Sequence, residues 1–232
     1  MKHLKTYRLF ESTDVVMAGV ENAIKNHNYE LLFDLFKQHG DMIDPNKLVK
    51  IFLSNNKNFE FLNIIPKRYL EKVTELWLSS KLEDLSILQK FPNLEMLSLF
   101  RTGLTSLKGV EHLTNLRTFS VQLDDIKSVE PLSGLTKLKL VTIVGCDDLE
   151  NIEPLKTLVN LVYLDVAENG LKSFKGIENL PNLKSISLLE NDLPKELDDQ
   201  IWSILDPERE DQDVMDKQIV DLIQNYYKDE TH

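Results

Sequence analysis

Leucine recurs at Leu94, Leu116, Leu138, Leu161 and Leu183, at intervals of 22, 22, 23 and 22 residues. A fixed period of this length constrains the fold more than any other feature of the chain. Each repeat has to be one small structural unit that can bury its apolar side only against its neighbours. The content of the repeats agrees with their spacing. One copy reads Leu94, Leu97, Leu99, Leu104, Leu107, Val110 and Leu113; the next reads Leu116, Phe119, Val121, Ile126, Val129, Leu132 and Leu135. A shorter copy opens at Val73, and a partial one follows Leu183. The stretch 73–193 therefore holds five full repeats and a fragment of a sixth.

Two periods coexist inside each repeat. The alternation Leu97-x-Leu99 predicts a short strand with its apolar residues inward. The later three-residue spacing predicts a 3-10 turn or extended coil, also with one side inward. Stacked repeats then share one core, and their strands line up as a parallel sheet along one side. Strands space the repeats more tightly than the opposite segments do, so the stack curves with the sheet on its concave face. The fold class expected is an α/β solenoid.

The ninth residue of each repeat leaves the strand, where backbone groups need partners. That position reads Lys81, Thr102, Asp124, Cys146, Asn169 and Asn191. Lys81 and Thr102 predict a weaker ladder at the N-terminal end. Cys146 is expected to be a ladder residue and not a nucleophile, since no histidine lies near it in sequence to activate a thiol. The repeat from Leu138 carries one extra residue near Asp147–Asp148, which predicts a small bulge.

These patterns resemble the leucine-rich-repeat superfamily. The 22-residue length, the "EPL" of Glu130–Leu132 and Glu153–Leu155, and the "LTN" and "LPN" at 113–115 and 180–182 look like its internalin-like and phosphatase-regulator-like branch. The resemblance covers roughly half of the chain. It implies protein binding and carries no catalytic residues with it.

Helices are expected on both flanks, because the exposed ends of a repeat stack need covers. Asp14–His27, Tyr29–Gln38 and a segment starting at Asp44–Pro45 have apolar residues at helical spacing, and Phe59–Ile65 is a further apolar stretch ended by Pro66. The run "AIKNHNYELLFDLFKQHG" is similar to an ankyrin-type helix pair but lacks the usual turn motif. Beyond Leu193, helices are expected at Glu196–Leu205 and Val214–Tyr227, with an acidic loop at Pro207–Asp213 between them. The domains expected are 1–72, helical; 73–193, repeats; and 194–232, an acidic helical cap.

Charge narrows the partners. Of the net −11, the segment 194–232 contributes 4 basic and 12 acidic residues, and 73–193 contributes 12 and 17. Such segments repel a phosphate backbone, so nucleic acid is not an expected partner. No stretch approaches the ~20 apolar residues of a membrane span, so no membrane partner is expected either. The N-terminal basic residues Lys2, Lys5 and Arg8 precede only a short apolar run, Val15–Val20, too short for a signal-peptide core. With the single cysteine, this points to the cytoplasm. No glycine-rich phosphate loop is present. The histidines His3, His27, His39, His112 and His232 are scattered, and the pairs Asp124–Asp125 and Asp147–Asp148 read as solvated loop carboxylates. No enzyme activity, cofactor or metal is expected.

Alternation assigns the outward side chains of the strands. The third-position column is Glu75, Met96, Thr118, Leu140, Tyr163, Ser185. The fifth is Trp77, Ser98, Ser120, Thr142, Asp165, Ser187. The seventh is Ser79, Phe100, Gln122, Val144, Ala167, Leu189. Large apolar side chains on an outward face call for something to cover them. That cover is either a terminal helix of the chain or a partner. The partner reading makes the chain a non-catalytic protein-interaction module. Its expected contact residues on the concave face are Trp77, Met96, Phe100, Leu140, Val144, Tyr163, Asp165 and Leu189. The alternative function is an inhibitor or immunity protein that neutralises a basic toxin or nuclease, suggested by the acidity and compact size.

Overall fold

The computed structural model describes residues 12–55, 59–205 and 212–229. Lys2, Lys5, Arg8, His3, His232 and most of the stretch Pro207–Asp213 lie outside them. The chain divides into two compact parts, Met1–Leu76 and Trp77–His232.

In the first part, each of three helices starts at a polar side chain that takes up a free backbone N–H. The Ser12 hydroxyl accepts from Val15 N at 3.4 Å to open α1 (Thr13–Lys25). Asn28 Oδ1 accepts from Leu31 N at 3.1 Å to open α2 (Tyr29–Gln38). Asp44 Oδ1 accepts from Lys47 N at 3.0 Å at the head of α3 (Pro45–Asn55), with Pro45 in the first turn where it loses no hydrogen bond. Their apolar stripes meet in one core containing Val16, Val20, Ile24, Leu32, Phe36, Leu48 and Phe52. A 3-10 turn at Phe59–Ile64 and a single helical turn, α4 (Lys67–Leu70), complete this part. The Tyr69 hydroxyl donates to the Phe36 carbonyl at 3.3 Å.

The second part is the repeat stack. Six strands run in the order β1 (Glu75–Leu78), β2 (Met96–Phe100), β3 (Thr118–Gln122), β4 (Leu140–Val144), β5 (Tyr163–Asp165) and β6 (Ser185–Ser187). The pairs from β2 to β6 are parallel and in register, one repeat against the next. The opposite, convex side carries 3-10 turns at Ser86–Lys90, Glu130–Leu132, Glu153–Thr157 and Ile177–Asn179. Both "EPL" segments start such turns, with the proline where a missing N–H costs nothing. The inward residues of β2 to β4 are fully buried, as are Leu94, Leu116, Leu138 and Leu161. Each contributes about 1.5–3 kcal/mol of apolar burial. This is the curved α/β solenoid that the spacing predicts.

The ladder at the ninth position is built from side chains that serve the repeat before them. Asn169 Nδ2 donates to the carbonyls of Ile143 and Val166, both at 2.7 Å, and its Oδ1 accepts from Cys146 N at 2.9 Å. Asn191 repeats this with Leu188, Val166 and Leu171. Asp124, an acceptor only, takes Gly103 N at 2.6 Å and the Thr102 hydroxyl at 3.1 Å. Thr102 is thus buried and joined to the ladder through its neighbour, while Lys81 is exposed and outside it. The extra residue at Asp147–Asp148 makes a turn closed by Leu149 N donating to the Cys146 carbonyl at 2.9 Å.

A second set of repeated contacts caps the convex segments. Asp84, Ser106, Ser128, Asn151 and Ser173 each accept from the backbone N–H two residues later, at 2.8–3.2 Å. Gly176 has φ +109°, and a Cβ there would lie 2.8 Å from Glu153 Cα, so this residue lets two convex segments touch backbone to backbone.

Two helices close the C-terminal end. In α5 (Lys195–Ile204), Leu197 and Ile201 are buried. The second, α6 (Gln212–Asp229), starts two residues before the expected Val214 and takes in Asp213. It packs on β6 and on the Ile177–Asn179 turn, burying Ile219, Val220 and Ile223. Gln224 Nε2 donates to the Ile177 and Leu180 carbonyls at 3.1 and 3.0 Å, satisfying the last convex turn.

Asn169→Ala leaves three buried backbone groups without their partner. It is expected to lower the free energy of unfolding by about 2–4 kcal/mol in urea denaturation. Asn182→Ala, which removes one exposed contact to the Val159 carbonyl, is expected to cost under ~1 kcal/mol. Equal losses would contradict the ladder's role.

Candidate partner-binding face

The register turns the three outward columns into physical rows. Met96, Thr118, Leu140, Tyr163 and Ser185 stand side by side across β2 to β6. Ser98, Ser120, Thr142, Asp165 and Ser187 form the middle row, and Phe100, Gln122 and Val144 the start of the third. Four of the large outward side chains are substantially exposed: Trp77 at 50%, Phe100 at 41%, Leu140 at 42% and Leu189 at 40%. Met96, Val144, Tyr163 and Asp165 are half-buried.

The rows also show a division that the columns do not announce. The outward face of β3 is wholly polar, with Thr118, Ser120 and Gln122, whose Nε2 donates to the Ser120 hydroxyl at 3.0 Å. Met96 and Phe100 on β2 are thereby separated from Leu140 and Val144 on β4 by two strand spacings, about 10 Å. Tyr163 stands directly beside Leu140, extending the second apolar group towards the C-terminal end.

One apolar contributor escapes the alternation rule. Leu123 follows β3, has φ +57°, and is 40% exposed. Its side chain lies over Gly145, where a Cβ would approach Leu123 Cδ2 to 2.6 Å. The same eighth position is left-handed in five repeats, at Arg101, Leu123, Gly145, Glu168 and Glu190. Three of these, Arg101, Leu123 and Glu168, donate their N–H to the carbonyl at the seventh position of the next repeat, at 2.9–3.0 Å. At these three, pairing with the next repeat fixes the conformation, and residue type gives little sign of it, since only one of the five is glycine. The lone glycine opposite Leu123 is the single signal in the sequence.

Electrostatically, the face is one-sided. No lysine or arginine stands in the three outward columns, whereas Glu75 and Asp165 do. Arg101 lies at the edge, with its guanidinium carbon 5.3 Å from the centroid of the Phe100 ring. Such an exposed cation–π contact contributes about 0.5–1 kcal/mol. Burial raises the Tyr163 hydroxyl above its ordinary value, and the carboxylates of Asp165 and Asp216 push it further the same way.

The face offers surface and hydrogen bonds more than reactive groups. Among the described residues, no group of three or more His, Cys, Asp or Glu side chains could hold a metal ion. Cys146 is fully buried, and burial raises its thiol to about 11. The thiol donates to the Val144 carbonyl, with Sγ 3.8 Å from the oxygen. His112 is exposed on the convex side. No described helix is long and apolar enough to cross a membrane.

No family model matches the sequence, and no curated protein matches it. Among solved structures, internalin C2 from Listeria monocytogenes is 25% identical with a TM-score of 0.50, covering 56% of this chain and 58% of its own. A second internalin of that organism, InlF, is 27% identical with a TM-score of 0.48, covering 56% of this chain and 45% of its own. The functional domain of InlJ, also from Listeria monocytogenes, is 22% identical with a TM-score of 0.46, covering 56% and 27%. The repeats have the leucine-rich-repeat fold. The chain thus spans just over half the length of internalin C2, and its likeness to that leucine-rich-repeat protein accompanies the observed ladder, register and 3-10 turns.

The ladder environment of Cys146 has a chemical consequence. Its thiol favours the neutral form in the native state, so native stability is unaffected below the unfolded value near 9 and falls as pH rises from there towards 11. At pH 8 the native protein is expected to resist iodoacetamide for hours, while the urea-unfolded chain is alkylated at once. Equal labelling rates, measured by mass spectrometry, would contradict a buried ladder thiol.

Proposed function

We propose that this chain is a non-catalytic protein-interaction module that holds a partner protein on the concave face of its repeats. The observation that carries the reading is the set of exposed Trp77, Phe100, Leu140 and Leu189 side chains on one sheet face. Aromatic side chains of this kind supply most of the energy at interface centres, and polar rows between them supply register. The contact set is Trp77, Met96, Phe100, Leu140, Val144, Tyr163, Asp165 and Leu189, to which Leu123 is added here. The near-constant 22-residue spacing, the "EPL" turns and the likeness to internalin C2 support placing the repeats in the internalin-like and phosphatase-regulator-like branch. A single buried, unpaired thiol supports a reducing compartment such as the cytoplasm.

A second reading, an inhibitor of a basic toxin or nuclease, is favoured by the net −11 and by the absence of basic residues from the outward columns. It predicts an affinity that falls steeply as salt is raised, because opposite charges steer and hold the complex. The first reading predicts a shallow salt dependence dominated by apolar contacts.

The test is affinity capture from native lysate with the wild-type chain and with Phe100→Ala/Tyr163→Ala, both checked for cooperative unfolding. The double substitution is expected to cost at least ~2 kcal/mol of binding, about 30-fold in Kd, and to lose the partner. A folded double variant that keeps every partner would overturn the reading.

A further inference from the structure

The seventh-position row of the sheet has a rhythm of its own. It runs Phe100 on β2, Gln122 on β3 and Val144 on β4, then Ala167 and Leu189 beyond β5 and β6. Backbone pairing continues past the last two strands. Val166 N donates to the Ser187 carbonyl at 2.8 Å and Glu168 N to the Leu189 carbonyl at 2.9 Å, so the row is unbroken. Large apolar side chains therefore stand on every second repeat, with one polar and one small residue between them. Leu123, lying over Gly145, thickens the middle of the row. Two strand spacings set the interval at about 10 Å, and the row from Phe100 to Leu189 extends for about 19 Å.

Charge is sorted to either side of the sheet. Where the chain leaves the strands, the charged residues at the eighth and tenth positions are the acids Asp125, Asp147, Glu168, Glu190 and Asp192, all exposed, and a single cation, Arg101, which lies over the Phe100 ring. Even with Lys127 and Lys172 beyond it, Lys127 being 3.7 Å from Asp148, this rim stays net negative. At the second position, on the opposite edge of the sheet, the order reverses. Arg117, Lys139 and Lys184 are exposed there, and the one acid, Glu95, is 3.4 Å from Arg117.

We propose that the seventh-position row and its acidic rim seat a basic amphipathic helix presented by the protein partner. Resting on the concave-face reading above, the inference names the partner's recognition element. Helix residues seven apart share a face and lie ~10.5 Å apart, close to the interval of the row. An i, i+3, i+4, i+7 set of apolar side chains then drops over Gln122 and Ala167, between the large residues. Same-face residues of an extended strand recur at ~6.7 and ~13 Å and miss that interval. A polyproline helix comes close, at ~9.3 Å, and the rim decides between the two. An α-helix is ~10–12 Å across, wide enough to set its apolar face on the row and an adjacent face over the rim. Lysine or arginine on that adjacent face meets opposite charge, whereas an acidic helix would meet like charge there. The row accommodates ~13 helical residues.

The test uses no natural partner. The full chain, labelled at leucine and valine methyl groups, is titrated in NMR with synthetic peptides of about 14 residues. The first carries leucine and lysine at helical spacing. Three controls carry leucine and lysine in strict alternation, leucine and glutamate at helical spacing, and a Leu-Pro-Lys repeat. The helical leucine–lysine peptide is expected to give saturable shifts at Leu123, Val144 and Leu189, and to bind at least ~10-fold more tightly than each control. Val159, exposed between the Glu153–Thr157 turn and β5, is expected to stay unmoved. Glu168→Lys/Glu190→Lys is expected to weaken that peptide ~10-fold with otherwise native methyl spectra. Absent or non-saturable shifts, a control peptide that binds as tightly, or shifts at Val159 equal to those at Leu123 would overturn the proposal. The comparison of peptides on the wild-type chain stands even if the charge-reversed variant fails to fold. Failure of all four peptides would overturn the helix seat alone, because the Phe100→Ala/Tyr163→Ala capture tests the concave-face reading separately.

Discussion

The constant register between one repeat and the next is the constraint on which the stack depends. A repeat of this size cannot bury its own leucines, so every inward side chain needs the layer above and the layer below. The ninth-position ladder holds that alignment. Asn169 and Asn191 each satisfy backbone groups that belong partly to the preceding repeat, so a slipped layer would strand buried N–H and carbonyl groups. Register also decides what faces outward. Shifting one strand by a residue would turn its apolar set from core to solvent.

Much of the fold was legible because it is written in spacing. The leucine period, the strand alternation and the convex three-residue pattern each map to an observed element, and the outward columns match the paired rows of β2 to β6. The flanking helices α1 and α2 were legible from apolar periodicity, and the start of α3 from Asp44–Pro45; the caps at Ser12 and Asn28 came only with the structure. Other features depend on tertiary context and leave little trace in the residues. The left-handed eighth position is occupied by Arg101, Leu123, Gly145, Glu168 and Glu190, and at Arg101, Leu123 and Glu168 a hydrogen bond to the next repeat holds it there. The convex caps at Asp84, Ser106, Ser128, Asn151 and Ser173 share only a small polar side chain, which many loops have. Thr102 seemed a break in the ladder. It is buried because its hydroxyl can reach Asp124, a contact set by the neighbouring layer.

The candidate site was half legible for the same reason. Which side chains point outward follows from alternation. How they group does not: the polar face of β3 separates two apolar sets, and Leu123 adds surface from a position that alternation does not assign. A cavity of about 300 Å³ lined by Tyr163, Leu189, Ile201 and Asp216 was not legible at all, because it needs α5 and α6 brought against β5 and β6. Tyr163 and Asp165 stood out in the sequence as an aromatic and an acid on one strand. Only the packing of α6 on β6 adds Asp216 to them.

The account rests on an inner wall whose outward residues face solvent while their neighbours face the core. Hydroxyl-radical footprinting of the free protein, read by mass spectrometry, measures both at once. Phe100, Leu140 and Leu189 should be oxidised, while the adjacent Leu99, Val141 and Leu188 stay protected. Protection of all six would mean that the wall is covered, and oxidation of the inner three would mean that the register is wrong. Either result would contradict the account.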